Sequence, residues 1–148
     1  MKKIFFALFI LAAVFQSCDK HTSLGDNYDL SNTLPPYVAL SSTASKTVAQ
    51  GASTSVTFQL RTALQQKVTV TYSVTGAVNL PNQTVVIDRE KTSVVVPINI
   101  PANTIVAPAT TATATLTLVK AVKEDGTELT IGSKNNPATQ KVTINITL

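Results

Sequence analysis

The chain has no tryptophan and only one cysteine, one histidine and one methionine. A lone cysteine closes no disulfide within the chain, so stability must come from an apolar core. The histidine, His21, stands near the N-terminus, well before the patterned part of the sequence. That part therefore lacks an imidazole and a free thiol. Ser-His-Asp, Cys-His and His-ligated metal chemistry are excluded from it. Aromatics are scarce as well, at 5%. Phe5, Phe6, Phe9 and Phe15 are spent in the first fifteen residues, which leaves Phe58, Tyr28, Tyr37 and Tyr72. Sugar sites lean on flat rings, and only Tyr37 stands where a ring could face a ligand. Basic residues form no run and have few aromatics among them, so nucleic-acid binding has no support. No glycine-rich loop leads into a helix start, so there is no phosphate cradle.

What the chain does have begins at its first residue. Lys2 and Lys3 precede an apolar run over residues 4–15. Gln16, Ser17 and Cys18 follow, then Asp19 and Lys20. A basic start, a short apolar stretch and a small residue at the cut form a secretion signal. The run is shorter than the about 20 residues that span a bilayer. Cys18 sits where lipoprotein signals place theirs. Phe15 stands where such signals prefer leucine, and Gln16 and Ser17 are tolerated variants. The expected layout is a lipoprotein signal peptide over 1–17, a lipidated Cys18 with a flexible tether over 18–36, and one folded domain over 37–148. Two or more acyl chains, at about 0.8 kcal/mol per buried CH₂, anchor such a domain firmly. The membrane is thus one expected partner, through Cys18.

Two residues after the cysteine bear on sorting. In the enterobacterial scheme Asp19 would hold the protein on the inner membrane. In Bacteroidota-type lipoproteins it carries no such meaning, and lysine followed by acids resembles a surface-export signal. Here Lys20 is followed by His21 and Thr22. The expected location is the outer membrane, on either its cell-surface or its periplasmic face.

Cleavage removes Lys2 and Lys3 and lowers the formal net charge from +4 to +2. The tether residues are polar and end in Pro35 and Pro36, with no periodicity. From Tyr37 the period is two. Strands are predicted over 37–41, 56–60, 68–74, 84–88, 94–100, 112–120 and 142–148. Val68, Val70, Tyr72 and Val74, for example, alternate with Thr69, Thr71 and Ser73. The row Ala112, Ala114, Leu116, Leu118 is expected to run on to Lys120. Pro97 inside a strand points to an edge or a bulge there. Gly, Pro, Asn and Asp fill the gaps between strands. Seven to eight short strands without a helical stretch predict an all-β fold, an antiparallel Ig-like β-sandwich.

The order of these segments is similar to a known family. Thr47-Val48-Ala49-Gln50-Gly51, then Ser55-Val56-Thr57-Phe58-Gln59-Leu60, then Val68-Thr69-Val70-Thr71-Tyr72 resembles the opening of a Calx-beta domain. Residues 83–88, 92–100, 112–118 and 141–146 match its later strands, and the resemblance covers roughly residues 38–147. It implies an Ig-like sandwich of the kind found in Bacteroidota-type surface lipoproteins. The family's calcium ligands are loop acids. Here Gln50 replaces the glutamate beside Gly51, and residues 76–81 and 100–106 hold no acid. Asn79 and Asn103 cannot supply the charged oxygens calcium needs. The resemblance thus implies the fold without its metal, and no cofactor is expected.

Two acidic turns remain as candidate chemistry. Asp88 and Glu90 lie in one, and Glu124, Asp125 and Glu128 in the other. An Ig-like layout places both at the same end, where they form either a weak cation or polar-ligand site or two solvated turns neutralised by Arg89, Lys91, Lys120 and Lys123. The rows Thr69, Thr71 and Thr113, Thr115, Thr117 read as solvated faces or as a flat polar surface for a partner. The last strand, near Leu148, reads as an edge open to strand addition. The expected function is that of a lipid-anchored, non-enzymatic interaction or accessory module, with another envelope protein as partner. The alternative is a surface glycan- or cation-binding protein beside an uptake system.

Overall fold

A computed structural model describes residues 35–132 and 139–148 of the chain. The signal, Cys18, His21, Tyr28 and nearly all of the tether lie outside the described residues, as do Lys134 and its neighbours. Nine strands form among the described residues: β1 (Tyr37–Leu40), β2 (Lys46–Ala49), β3 (Ser53–Leu60), β4 (Val68–Gly76), β5 (Leu80–Ile87), β6 (Ser93–Asn99), β7 (Thr111–Lys123), β8 (Thr130–Ile131) and β9 (Lys141–Thr147). They build a four-stranded sheet, β6-β3-β1-β8, and a five-stranded sheet, β2-β9-β7-β4-β5. The two sheets make the expected β-sandwich.

The alternation decides what is buried. Val56, Phe58 and Leu60 of β3 and Val68, Val70, Tyr72 and Val74 of β4 turn into one core. Leu116 and Leu118 of β7 and Val142, Ile144 and Ile146 of β9 join them. Phe58 and Tyr72 bridge the sheets with ring centroids 5.4 Å apart. Branched aliphatics fill the rest, as the shortage of aromatics requires. Leu148 departs from the predicted row and is exposed.

Two short strands were not predicted. β2 pairs in parallel with β9, and β8 in parallel with β1. They add parallel margins to sheets that are otherwise antiparallel. The pairing of β2 also corrects the reading of β9 as an open edge, because β9 lies between β2 and β7. β7 runs on to Lys123, but its phase changes. A register shift opposite Thr71 and Tyr72 inserts one residue. The inward row therefore steps from Leu118 to Ala121, and Lys120 faces solvent.

Pro97 meets its expectation. β6 is an edge strand. Ile100 N–H donates to the Ala52 carbonyl and Leu60 N–H to that of Thr92, so even-numbered β6 residues face β3. By alternation Pro97 turns its nitrogen away from the ladder, where no donor is needed.

β1 has only two partners in β8, which leaves the Leu40 N–H beyond its reach. Gln140, the one polar side chain buried among the described residues, accepts that N–H at 2.8 Å. The Gln140 carbonyl also accepts from Leu118 N–H, so one residue ties the two sheets. Gly132 lies against it with φ +68, and a Cβ there would stand 2.9 Å from the Gln140 amide nitrogen.

Candidate functional site

The two acidic turns do meet at one end of the sandwich. Asp88 follows the buried Ile87 out of β5, and a turn closes when Lys91 N–H donates to the Asp88 carbonyl. Glu90 within it holds φ 62, and its N–H donates to the Leu64 carbonyl. β7 ends in a second turn, in which Gly126 N–H and the Lys123 carbonyl pair at 2.9 Å. Glu124 N–H donates to the Lys67 carbonyl, which brings this turn beside the start of β4.

Each acid but one then finds a base. Arg89 Nη2 donates to Glu124 Oε2 at 2.8 Å. Lys67 Nζ stands 3.7 Å from Asp88 Oδ1. Lys120 Nζ reaches Glu128 Oε1 at 2.6 Å, and Lys123 Nζ reaches Asp125 Oδ2 at 3.2 Å. Glu90 has no ion pair among the described residues. Asp125 Oδ1 also accepts the Thr127 N–H at 2.8 Å, the usual bond of an aspartate inside its own turn. The hydrogen bond from Arg89, and then its charge, hold the Glu124 carboxyl below its ordinary range. Bonds from Thr127 depress Asp125 more strongly, with Lys123 adding to them.

This arrangement is a ring of exposed, mutually compensated charges rather than a set of converging free oxygens. Among the described residues no group of three or more His, Cys, Asp or Glu is placed to hold a metal ion. Of the bases expected to neutralise these turns, Arg89, Lys120 and Lys123 form ion pairs and Lys91 forms none among the described residues, while Lys67 is a partner the sequence did not single out. Tyr37 lies on the four-stranded sheet, paired with Thr130 of β8. It is half-buried at the start of β1, and its carbonyl accepts the Arg61 N–H.

The opposite end is built differently. Its loops, residues 50–52, 77–79 and 100–110, carry no charged side chain. They are joined by amides. Gly51 N–H donates to the Ile100 carbonyl, and Gln50 Oε1 accepts the Ile105 N–H at 3.1 Å. Ile100, Ile105 and Val78 seal this end from inside. At the close of β4, Gly76 holds φ +105, and a Cβ there would stand 2.6 Å from the Thr113 carbonyl oxygen. Sequence reasoning found Gln50 only as a substituted position and missed its bond to the far loop, a contact 55 residues away along the chain.

The Thr rows lie on the outer face of the five-stranded sheet. Register places Thr75, Thr115 and Thr143 on one line across β4, β7 and β9, and Thr113 opposite Asn145. No protein-family model matches the chain, and no curated protein matches it significantly in sequence.

Proposed function

We propose that this chain is a lipid-anchored, non-enzymatic envelope lipoprotein whose sandwich serves as an interaction or accessory module. The observation that carries the reading is the N-terminal stretch. Two lysines, a short apolar run and Cys18 form a signal whose cut leaves that cysteine first. A thioether-linked diacylglycerol and an amide-linked acyl chain such as palmitate on Cys18 would hold the domain on the outer membrane. The domain's own chemistry agrees with an accessory role. Its carboxylates, Glu90 apart, are engaged with Lys and Arg, and residues 37–148 contribute no histidine.

The Calx-beta-like reading belongs to the same proposal. The loops that would gather calcium ligands in that family correspond to residues 50–51, 76–81 and 100–106. At the first and last of these an uncharged bond, Gln50 to Ile105, stands in place of a carboxylate. The glycan- or cation-binding alternative gains little from the other end, where a ligand would have to displace Lys67, Arg89, Lys120 or Lys123.

Metabolic labelling with an alkyne palmitate analogue tests the anchor. The expected result is label on the wild-type chain and none on Cys18→Ala. Label on neither would reject the lipoprotein. Protease treatment of intact cells then decides the membrane face, since a surface domain is lost and a periplasmic one is protected. A rise in melting temperature with calcium or a glycan, abolished by neutralising Asp88, Glu124 and Asp125, would reinstate the alternative.

A further inference from the structure

The sandwich has four sheet edges among the described residues, and three of them are blunted. β2 has four residues and β8 has two. β6 carries Pro97, so its outward row lacks a donor midway. Natural sheets guard their edges by these devices, short strands and proline, because an open row of N–H and C=O groups recruits another strand.

β5 is the exception. After Pro81 and Asn82 it runs as Gln83-Thr84-Val85-Val86-Ile87, without proline or charge. These are mostly strong strand formers. Which of their backbone groups are free follows from the ladder. Glu124 N–H bonds to Lys67 O, so odd-numbered β4 residues at this end face β7 and even-numbered ones face β5. Val68, Val70 and Tyr72 therefore pair with Ile87, Val85 and Gln83. By alternation, Thr84 and Val86 turn their N–H and C=O groups outward, away from β4. The Asn82 N–H is already taken by Ser73 Oγ, which sets the upper limit of the open segment. Val86 is also one of the few large apolar side chains left exposed, at 42%.

A two-fold axis through Val85 makes this edge complementary to itself. In antiparallel pairing about that axis, Thr84 of one copy faces Val86 of the other, and the reverse. Both residues have outward donors and acceptors, so both positions form doubly bonded pairs. Side chains at such positions touch, and the Val86 methyls meet the Thr84 methyl. The same register sets Asp88, Arg89 and Glu90 opposite Asn82, Pro81 and Leu80, so no like charges meet. We propose that β5 is a homodimerisation edge, pairing with β5 of a second copy to join two five-stranded sheets into one; this rests on the reading of the domain as an interaction module and names the partner.

The test is the mass of the full chain in dodecyl maltoside micelles, by light scattering with the detergent subtracted, over a wide concentration range. Hydrogen exchange on residues 83–87 is followed in parallel. The expected result is a concentration-dependent dimer in which the Thr84 and Val86 amides become protected. Thr84→Pro removes only an outward donor and should raise the dimer dissociation constant at least about tenfold. Val86→Lys sets two like charges across the axis and should act the same way if Thr84→Pro does not fold. A monomer at every concentration would overturn the proposal, as would a dimer indifferent to both variants, which would place the contact elsewhere on the chain. Protection of β5 only on adding envelope extract would assign the edge to another polypeptide and overturn it too. Palmitate labelling is independent of all these outcomes, so failure of the dimer and failure of the anchor can be told apart.

Discussion

The two ends of this sandwich are closed by opposite means. At one, Lys67, Asp88, Arg89, Lys120, Lys123, Glu124, Asp125 and Glu128 pair off in solvent. At the other, loops without a charged side chain are tied by amides over Ile100, Ile105 and Val78. The charged end gains solubility and little stability, since exposed pairs lose most of their Coulomb energy to water and salt. The uncharged end depends on burial and on a backbone that only glycine tolerates at Gly76. A site that must bind a cation keeps carboxylates uncompensated. Here all the acids of the two turns but Glu90 are compensated at one end, and the loops at the other hold none.

The sharpest test of this contrast is the core beneath each end. Ile100→Ala at the uncharged end and Ile87→Ala at the charged end should each cost about 2–5 kcal/mol in urea unfolding, because both side chains are buried. Equal losses would show that the ends differ only in their surfaces. Gly76→Ala should follow, at about 1–3 kcal/mol, from the strained φ and the clash with Thr113. Gln50→Ala removes the bond to Ile105 and should cost about 0.5–1.5 kcal/mol, with faster hydrogen exchange in residues 100–110.

The charged end should yield the smallest effects. Arg89→Ala should lower the melting temperature less than any substitution above, and 1 M NaCl should erase the difference. Its pH dependence has a definite sign. Glu124 and Asp125 are depressed in the fold from reference values of 4.5 and 3.8. Their stabilisation is therefore present above those values and is lost as pH falls through the lower folded ones. Thermal melts should show stability declining from about pH 4.5 downward, with Arg89→Ala removing the part that belongs to Glu124.

Periodicity made seven of the nine strands legible, because each runs long enough for alternation to show. It could not reveal β2 or β8, since four or two residues carry no readable period. Residues 80–82 read as loop because Pro81 and Asn82 favour turns, yet they belong to β5, which pairs with β4. Lys120 was misplaced because one inserted residue in β7 reverses the phase, and only the pairing with β4 reveals it. Of the candidate site, the acids and most of their bases were legible as charges in two turns. Lys67 was not, since its turn meets the others only after folding.

By itself the sequence determined the class of fold. Strict alternation of Val, Ile and Leu with Thr permits little but a two-faced sheet. The tertiary structure alone decided which edges are open. It placed β2 beside β9, took β8 to β1, turned the Pro97 nitrogen outward and left the outer side of Thr84 and Val86 without a strand partner among the described residues. The physical reason is that side-chain alternation is a local property of a strand, whereas hydrogen-bond partners are settled between residues far apart in the chain.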